Sequence, residues 1–347
     1  MLSGRVTSTS DPDTPSSRTL VADRGDAGTR LDLVLRRHLT DIHAATRTRV
    51  QAWIEDGRVT VNGTLIRRVG TRTVPGDTVV VMLPEGRPRG VMSAEDVQLE
   101  VLYEDDHLLA INKPAGIVVH PTHRNISGTL MNALLWRAKT WPAPQRPSLV
   151  GRLDKLTSGI VIVAKAAAIH AALQRELMST SGEKDYLAVV YGRVNVLRGE
   201  IALGLARDRT DRRKIVASET AGAPSLTRFE RLARVAAPRA GLSLLRCRLV
   251  TGRTHQIRVH LAARGWPLVG DPSYGEPRWS HVEDVTLAAA LRMFPRQALH
   301  AWRVALTHPV TRERLAIEAP VPTDLAELIK ATELMVAPDA TAIRQGY

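Results

Sequence analysis

The fold is decided by residues 148–165, which read Ser-Leu-Val-Gly-Arg-Leu-Asp-Lys-Leu-Thr-Ser-Gly-Ile-Val-Ile-Val-Ala-Lys. A short apolar run enters Arg152-Leu153-Asp154, a polar turn follows, and a second apolar run leaves through Ile160–Ala164. Apolar runs of this length on either side of a turn predict two strands. The pattern therefore holds one carboxylate beside one guanidinium where the strands meet. An Asx-type turn, with Arg152 only a surface partner of Asp154, is the structural alternative.

The chain around this stretch predicts one large domain over residues 97–325. Short strand-like runs outnumber helical ones, which is typical of an α+β domain built on a mixed, mainly antiparallel sheet. Residues 326–347 are predicted to form a C-terminal helix or tail. The predicted strands cover residues 97–103, 108–111, 117–120, 186–194, 242–250 and 316–319, and a predicted helix covers residues 166–180.

A smaller unit precedes the large domain. Residues 1–28 are rich in Ser, Thr, Asp, Pro and Gly and lack apolar periodicity, which predicts a disordered tail. Residues 29–83 carry two helical patterns and then a strand that enters the Asn62-Gly63 pair, a strong hairpin signal. These patterns predict a small α/β domain. Residues 84–96 open with a Gly-, Pro- and Arg-rich run and are predicted to be a linker.

The charge of the chain restricts the class of partner. The 347 residues carry a formal net charge of +13, so nucleic acid is the first partner to consider and an anionic membrane surface the second. No run of about 20 apolar residues is present to cross a membrane, and the N-terminus shows no apolar signal core. Cys247 is the single cysteine, which excludes an intrachain disulfide. We expect a cytoplasmic protein, and no obligate protein partner is evident.

Basic residues are concentrated in the small unit. Residues 29–83 contain nine arginines and five acidic residues, a local excess of four positive charges. Arg47 and Arg49 lie at the predicted start of the second helix, where backbone amides and guanidinium groups together suit phosphate oxygens. They are therefore candidates for RNA binding, although a solvated charged face explains any single arginine equally well.

Three further motifs combine with the Asp154 stretch. Tyr186 follows a polar turn in Glu-Lys-Asp-Tyr-Leu-Ala and stands at the start of a predicted strand, where core packing is the simpler explanation for an aromatic residue. Residues 251–260, Thr-Gly-Arg-Thr-His-Gln-Ile-Arg-Val-His, are too polar to be explained by packing. The last motif is Leu299-His300-Ala301. A zinc site would need the four histidines His255, His260, His300 and His308, but their spacing is not that of common zinc sites. No Gly-x-Ser-x-Gly elbow of a serine hydrolase is present.

These motifs occur together and in the same order in the RluA family of pseudouridine synthases, which the large domain resembles. Residues 29–83 are similar to the S4 domain, a small RNA-binding domain that often precedes the catalytic domain in this family. The resemblance implies an isomerase with the pseudouridine synthase fold that acts on structured RNA and needs no cofactor or metal. It implies that Asp154 is the catalytic aspartate, Tyr186 the aromatic that contacts the target base and Arg258 the basic partner of the aspartate. The implied or candidate substrate-binding residues are Arg152, Leu299, Arg253, His255 and Gln256.

The resemblance leaves the substrate and one local feature open. Large-subunit ribosomal RNA is the expected substrate, transfer RNA is the alternative, and a non-catalytic RNA-binding assembly factor is the rival from another class. Gly151 stands where the family usually has a histidine before Arg-Leu-Asp. Because glycine raises backbone freedom, this departure bears on the rigidity of the loop beside Asp154 and on base flipping.

Overall fold

A computed structural model describes residues 17–40, 42, 45–83, 92–122, 125–235, 241–275 and 278–334. It divides the chain into two compact units, Met1–Ser93 and Ala94–Tyr347. The division falls within the predicted linker, residues 84–96, of which residues 84–91 lie outside the described part of the chain. The predicted tail is likewise outside it over residues 1–16.

The N-terminal unit has two helices and a four-stranded antiparallel sheet in the order β1-β4-β2-β3. The predicted hairpin is present, because Asn62 and Gly63 both adopt positive φ, 52° and 80°, between two paired strands. Its apolar core lies between the helices and the sheet. The elements are β1 (Ser17–Val21), α1 (Leu31–His38), α2 (Arg47–Glu55), β2 (Val59–Val61), β3 (Thr64–Ile66) and β4 (Thr78–Met82).

The prediction of a disordered tail is wrong for residues 17–28. Strand β1 pairs along its whole length with β4, from Ser17 opposite Met82 to Val21 opposite Thr78. Asp26, farther along, is buried and accepts hydrogen bonds from Arg37 and binds His38. Backbone hydrogen bonds to β4 hold this five-residue edge strand in place, and most of its side chains are exposed. Its sequence therefore lacks the alternation of apolar and polar residues that would predict a strand.

The C-terminal unit is built on an eleven-stranded sheet, which confirms the predicted α+β class. Nine strands follow the order β11-β10-β12-β13-β9-β14-β8-β6-β5, while β15 pairs with β14 and β7 with β8. Among the described strands, β8 and β14 form the one parallel pair. The strands are β5 (Val101–Glu104), β6 (Leu108–Lys113), β7 (Ser148–Leu149), β8 (Ser158–Ala164), β9 (Glu183–Tyr191), β10 (Arg198–Arg207), β11 (Ile215–Ser218), β12 (Ala223–Val235), β13 (Leu242–Leu249), β14 (Leu299–Thr307) and β15 (Arg314–Glu318). The helices are α3 (Leu130–Arg137), α4 (Ala167–Glu176), α5 (Gln256–Ala263), α6 (Val285–Met293) and α7 (Thr323–Ala331).

Strand β8 is the second apolar run of the opening stretch, and every residue in it is buried. A continuous run of apolar residues suits a strand covered on both faces. Gly159, the second residue of β8, has a φ of +111°, and a Cβ added there would lie 2.2 Å from the carbonyl oxygen of Ala301. The glycine is therefore required by the close approach of β14, which is the neighbouring strand.

Two local predictions in this unit are wrong. Residues 117–120 form no strand, because the chain after β6 turns back towards the Asp154 loop, where Gly116 donates its N–H to the Lys155 carbonyl. The predicted boundary at residue 325 falls inside α7, whose Leu325 and Leu328 are buried in the same core cluster as Val189. Residues 335–347 lie outside the described part of the chain.

The sheet brings the motifs to one place. Strand β14 pairs with β8 on one side, His300 opposite Ser158, and with β9 on the other, Ala301 opposite Tyr186. The turn that carries Asp154 leads directly into β8. Three motifs far apart in sequence thus meet at adjacent strand ends. Within the described residues, no helix has the length and apolar content needed to cross a membrane.

Candidate active site

Asp154 and Arg258 form the ion pair at the centre of the site. The Arg258 side chain, from helix α5, donates from Nη1 to Asp154 Oδ2 at 2.9 Å. The Asp154 side chain keeps 25% of its surface exposed, whereas the Arg258 side chain keeps 6%. A carboxylate that is charge-paired yet still open to solvent is available to an incoming substrate.

Arg258 is itself held by a second carboxylate that the sequence motifs did not indicate. Asp271 accepts from Arg258 Nε at 2.7 Å and from Nη2 at 2.8 Å, and it also accepts the backbone N–H groups of Ser273 and Tyr274. Although burial opposes the charged form, the hydrogen bonds to Asp271 raise the pKa of Arg258 above its ordinary value. The guanidinium is therefore a fixed cation. The only sequence signal for Asp271 is an acidic residue in the Gly270-Asp271 pair that follows the apolar run Leu268-Val269.

Tyr186 and Leu299 line a cavity of about 50 Å³ with Asp154 and Arg258. Burial, and next the charge of Asp154, raise the pKa of the Tyr186 hydroxyl, so it stays protonated. The same cavity is lined by Arg152, Arg253, His255 and Gln256. The structure thus brings together every site residue predicted in the large domain.

His255 is held in a strained conformation beside Asp154. Its φ of +54° is in the left-handed region, which non-glycine residues rarely adopt, directly before α5. Its Nδ1 bonds to the Tyr274 hydroxyl at 2.8 Å, and its Nε2 lies 3.8 Å from Asp154 Oδ2. Burial lowers the pKa of His255, so the imidazole is neutral at pH 7. Tyr274, which sequence reasoning missed, orients this ring and lies 5.0 Å from the Arg258 guanidinium.

Gln256 is a brace for the loop and not an exposed substrate ligand. It is 2% exposed, and its Oε1 accepts from the Thr251 hydroxyl and the Arg253 N–H. Its Nε2 donates to the Leu226 carbonyl and the Thr227 hydroxyl. With both ends of the amide bonded to protein, Gln256 ties the loop before α5 to strand β12.

Arg152 and Arg253 are exposed cations at the edge of the cavity. Within the described ranges, neither side chain forms an ion pair with a carboxylate, so both are available to an anionic ligand. The predicted phosphate ligands Arg47 and Arg49 lie in the N-terminal unit, in the first turn of α2, and both are exposed. Arg47 Nε is 3.5 Å from Asp32 Oδ2, which fixes its position on the helix.

Lys113 is a further residue that sequence reasoning did not assign, although it lies in the Asn-Lys-Pro-Ala-Gly turn. It is fully buried, and its ammonium donates to the carbonyls of Pro114, Ile117 and Lys155. Burial, and next the charge of Arg296, lower the pKa of Lys113 to about 8. Lys113 fastens the turn after β6 to the turn that carries Asp154.

The histidines of the zinc alternative have separate partners. His255 bonds to Tyr274, His260 to Ser225 and His300 to Ser158, while His308 accepts the backbone N–H groups of Val310 and Thr311 at Nδ1. Among the residues that the structure describes, the one close group of possible metal ligands is Asp23, Asp26 and His38 in the N-terminal unit. Within this group, the Asp26 carboxylate already binds the side chains of Arg37 and His38.

Comparison with known proteins identifies the family. The model of the RNA pseudouridylate synthase family matches residues 107–263, and that of the S4 domain matches residues 29–79. Ribosomal large subunit pseudouridine synthase D of Pseudomonas aeruginosa is 39% identical over 308 residues, which is 87% of this chain and 91% of the relative. The chain belongs to the RluA family of RNA pseudouridine synthases. It is an isomerase of uridine in RNA.

Other relatives of the synthase agree with this assignment. The protein of the same name from Xylella fastidiosa is 41% identical over 319 residues, covering 91% of this chain and 92% of that relative. Among solved structures, human RNA pseudouridylate synthase domain containing 1 matches 73% of the synthase and 97% of its own chain, with 27% identity and a TM-score of 0.53. The N-terminal S4 domain assigned from the Arg-rich helix and hairpin is confirmed.

Proposed function

We propose that the synthase converts specific uridines of 23S ribosomal RNA to pseudouridine and that Asp154 is its catalytic carboxylate. The observation that carries the residue assignment is the Asp154–Arg258 bond at 2.9 Å inside a cavity that Tyr186 also lines. The ribosomal substrate is supported by the relatives named ribosomal large subunit pseudouridine synthase D, which span nearly the whole chain. We also propose a cytoplasmic location, which a ribosomal RNA substrate supports.

The reaction needs a carboxylate, a cation and an aromatic surface. Uracil is detached from ribose, turned and rejoined through carbon-5, so the rearrangement is redox-neutral and transfers no phosphate. Asp154 acts either as the nucleophile or as the base that takes a proton from the sugar. Arg258 holds this carboxylate in place through a charge-assisted hydrogen bond. Tyr186 and Leu299 hold the detached base while it turns.

The target base must leave its stack before it can reach Asp154. Flipping a base out of structured RNA costs a few kcal/mol. Arg152 and Arg253, both exposed at the rim of the cavity, offset this cost by contacting the flanking phosphates and, for Arg152, by filling the vacated space. Arg47 and Arg49 supply further phosphate contacts from the S4 domain, which position the RNA without reading its sequence.

A tritium-release assay tests this proposal. Wild-type enzyme is mixed with a 23S ribosomal RNA transcript labelled at carbon-5 of uridine, and released tritium is followed with time. We expect release by the wild type and none by Asp154→Asn, whose RNA affinity stays within several-fold because phosphate contacts dominate affinity. Release at the wild-type rate from Asp154→Asn, with deamidation excluded by mass spectrometry, would refute the role of Asp154. Absence of release from the wild type would favour the non-catalytic assembly factor.

A further inference from the structure

A second cavity adjoins the catalytic one and is lined by neither Asp154 nor Arg258. It has a volume of about 510 Å³ and lies between the loop at Gly151–Leu153, the end of α4 and the start of β9. We call it the side cleft. It shares Arg152, Leu153, Tyr186, Leu249 and Arg253 with the catalytic cavity. A group bound in the side cleft is therefore separated from the target base only by side chains common to both.

The floor of the side cleft is apolar. Ile160, Ile162, Leu177 and Val304 line it and belong to one buried core cluster. Met178 also lines the cleft and leaves 54% of its surface exposed, so it offers an open apolar surface beside the buried floor. A flat, apolar-faced group such as a nucleobase fits these walls, since methionine adapts its shape to aromatic surfaces.

The rim of the side cleft is cationic. Arg152, Arg175, Lys184 and Arg253 line it, and in the ranges that the structure describes none of these four forms an ion pair with a carboxylate. The acidic residue in the wall, Asp185, is taken up by Arg248, which donates to it at 2.7 and 2.8 Å. An apolar floor under a rim of unpaired cations complements a base joined to a phosphate.

Gly151 widens the mouth of this cleft. Its φ is +99°, and a Cβ added there would meet no atom within 4 Å. The family usually has a histidine at this position. In this chain, no side chain of residue 151 narrows the cleft. A bulky group can pass the Asp154 loop on this side.

We propose that the side cleft binds the nucleotide next to the target uridine, with its base on Met178 and the apolar floor and its phosphate at Lys184. This inference rests on the proposed function and adds to it a second point at which the enzyme selects its RNA. A base held here is unpaired, so the cleft favours target sites with a second unpaired nucleotide beside the uridine.

The base contact is tested with the full chain and synthetic RNA. The target uridine is first mapped in a 23S ribosomal RNA transcript treated with wild-type enzyme, and short RNAs are then made with an abasic residue on either side of it. We expect one abasic position to lower kcat/KM about tenfold, as loss of one stacked base does. Met178→Ala should cause a similar loss with the intact RNA and little further loss with that abasic RNA, because both changes remove the same contact.

Matched variants separate this role from a general effect on the enzyme. Met293→Ala changes another exposed methionine, at the end of α6 outside both cavities, and should keep the wild-type kcat/KM with every RNA. Lys184→Met should raise KM and reduce the salt slope of binding by about one, while Lys184→Arg keeps the charge and restores both. Additive losses from Met178→Ala and the abasic residue, or wild-type behaviour of Lys184→Met, would overturn the side-cleft proposal alone. A wild type that makes no pseudouridine in the transcript would overturn the proposed function as well.

Discussion

Arg258 sits between two carboxylates that have different tasks. Asp154 binds one terminal nitrogen of the guanidinium and keeps a quarter of its own side chain exposed. Asp271 binds two nitrogens of the same group and leaves only 1% of its side chain exposed. The exposures therefore support the proposal that Asp154 carries out the chemistry and that Asp271 positions the cation.

This division predicts losses of stability of different size for two Asp→Asn changes. Asp271→Asn leaves a buried guanidinium without its main partner, and removing one member of a buried pair lowers the free energy of unfolding by about 3–5 kcal/mol. Asp154→Asn removes the partly exposed contact and should cost about 1 kcal/mol or less. Urea denaturation of both variants measures this difference, and the tritium-release assay should show no activity for Asp154→Asn. Equal losses of stability would contradict the division.

The residues that meet at the site were predictable where a motif contains them. Asp154, Tyr186, Arg258 and Leu299 each stand in one of the motifs that occur in the same order in the RluA family. Asp271 and the supporting Tyr274 were missed, because their meaning comes from a pairing between α5 and a loop 13 residues away, which no local pattern records.

At the scale of elements, the turn after β6 and the turn before β8 act as one structure. Lys113 ends β6 and donates to the Lys155 carbonyl, next to Asp154, while Gly116 donates its N–H to the same carbonyl. The strand predicted at residues 117–120 was wrong because these bonds draw the chain across to the Asp154 loop. Such cross-loop bonds leave no periodicity in sequence.

Burial of Lys113 predicts a change of stability with pH. The pKa of Lys113 falls to about 8 in the folded protein from an ordinary 10.5. Between these two values the unfolded chain binds more protons than the folded one, so stability rises with pH through this window. Relative to Lys113→Met, the wild type should gain up to about 3 kcal/mol between pH 7.5 and pH 10.5.

Urea denaturation of wild type and Lys113→Met at several pH values tests this window. The difference between the two proteins removes the contribution of other titrating groups. A difference that stays constant from pH 7.5 to pH 10 would show that Lys113 does not carry a lowered pKa. The same variant should also lose activity, because three carbonyls around the Asp154 turn lose their donor.

The whole molecule joins two units with separate cores. The N-terminal unit packs its two helices on its own four-stranded sheet, and the C-terminal unit contains its own apolar clusters around the eleven-stranded sheet. Both units were predictable as units, because each has its own hydrophobic pattern and turn signals. Strand β1 was not, since an edge strand held by backbone hydrogen bonds needs no distinctive side chains.

Two separate cores predict that the S4 domain contributes affinity and not chemistry. Deletion of residues 1–93 should leave a folded unit that releases tritium at saturating RNA, with a higher KM and a shallower salt dependence of binding. The slope should fall by about one for each phosphate contact that is lost.

The full-length double variant Arg47→Gln, Arg49→Gln is the matched test, because it keeps the domain and removes two exposed cations from the start of α2. It should reduce the slope by about two. A slope unchanged in both proteins would mean that the RNA bypasses this helix, and the cations around the catalytic cavity would then carry the phosphate contacts alone.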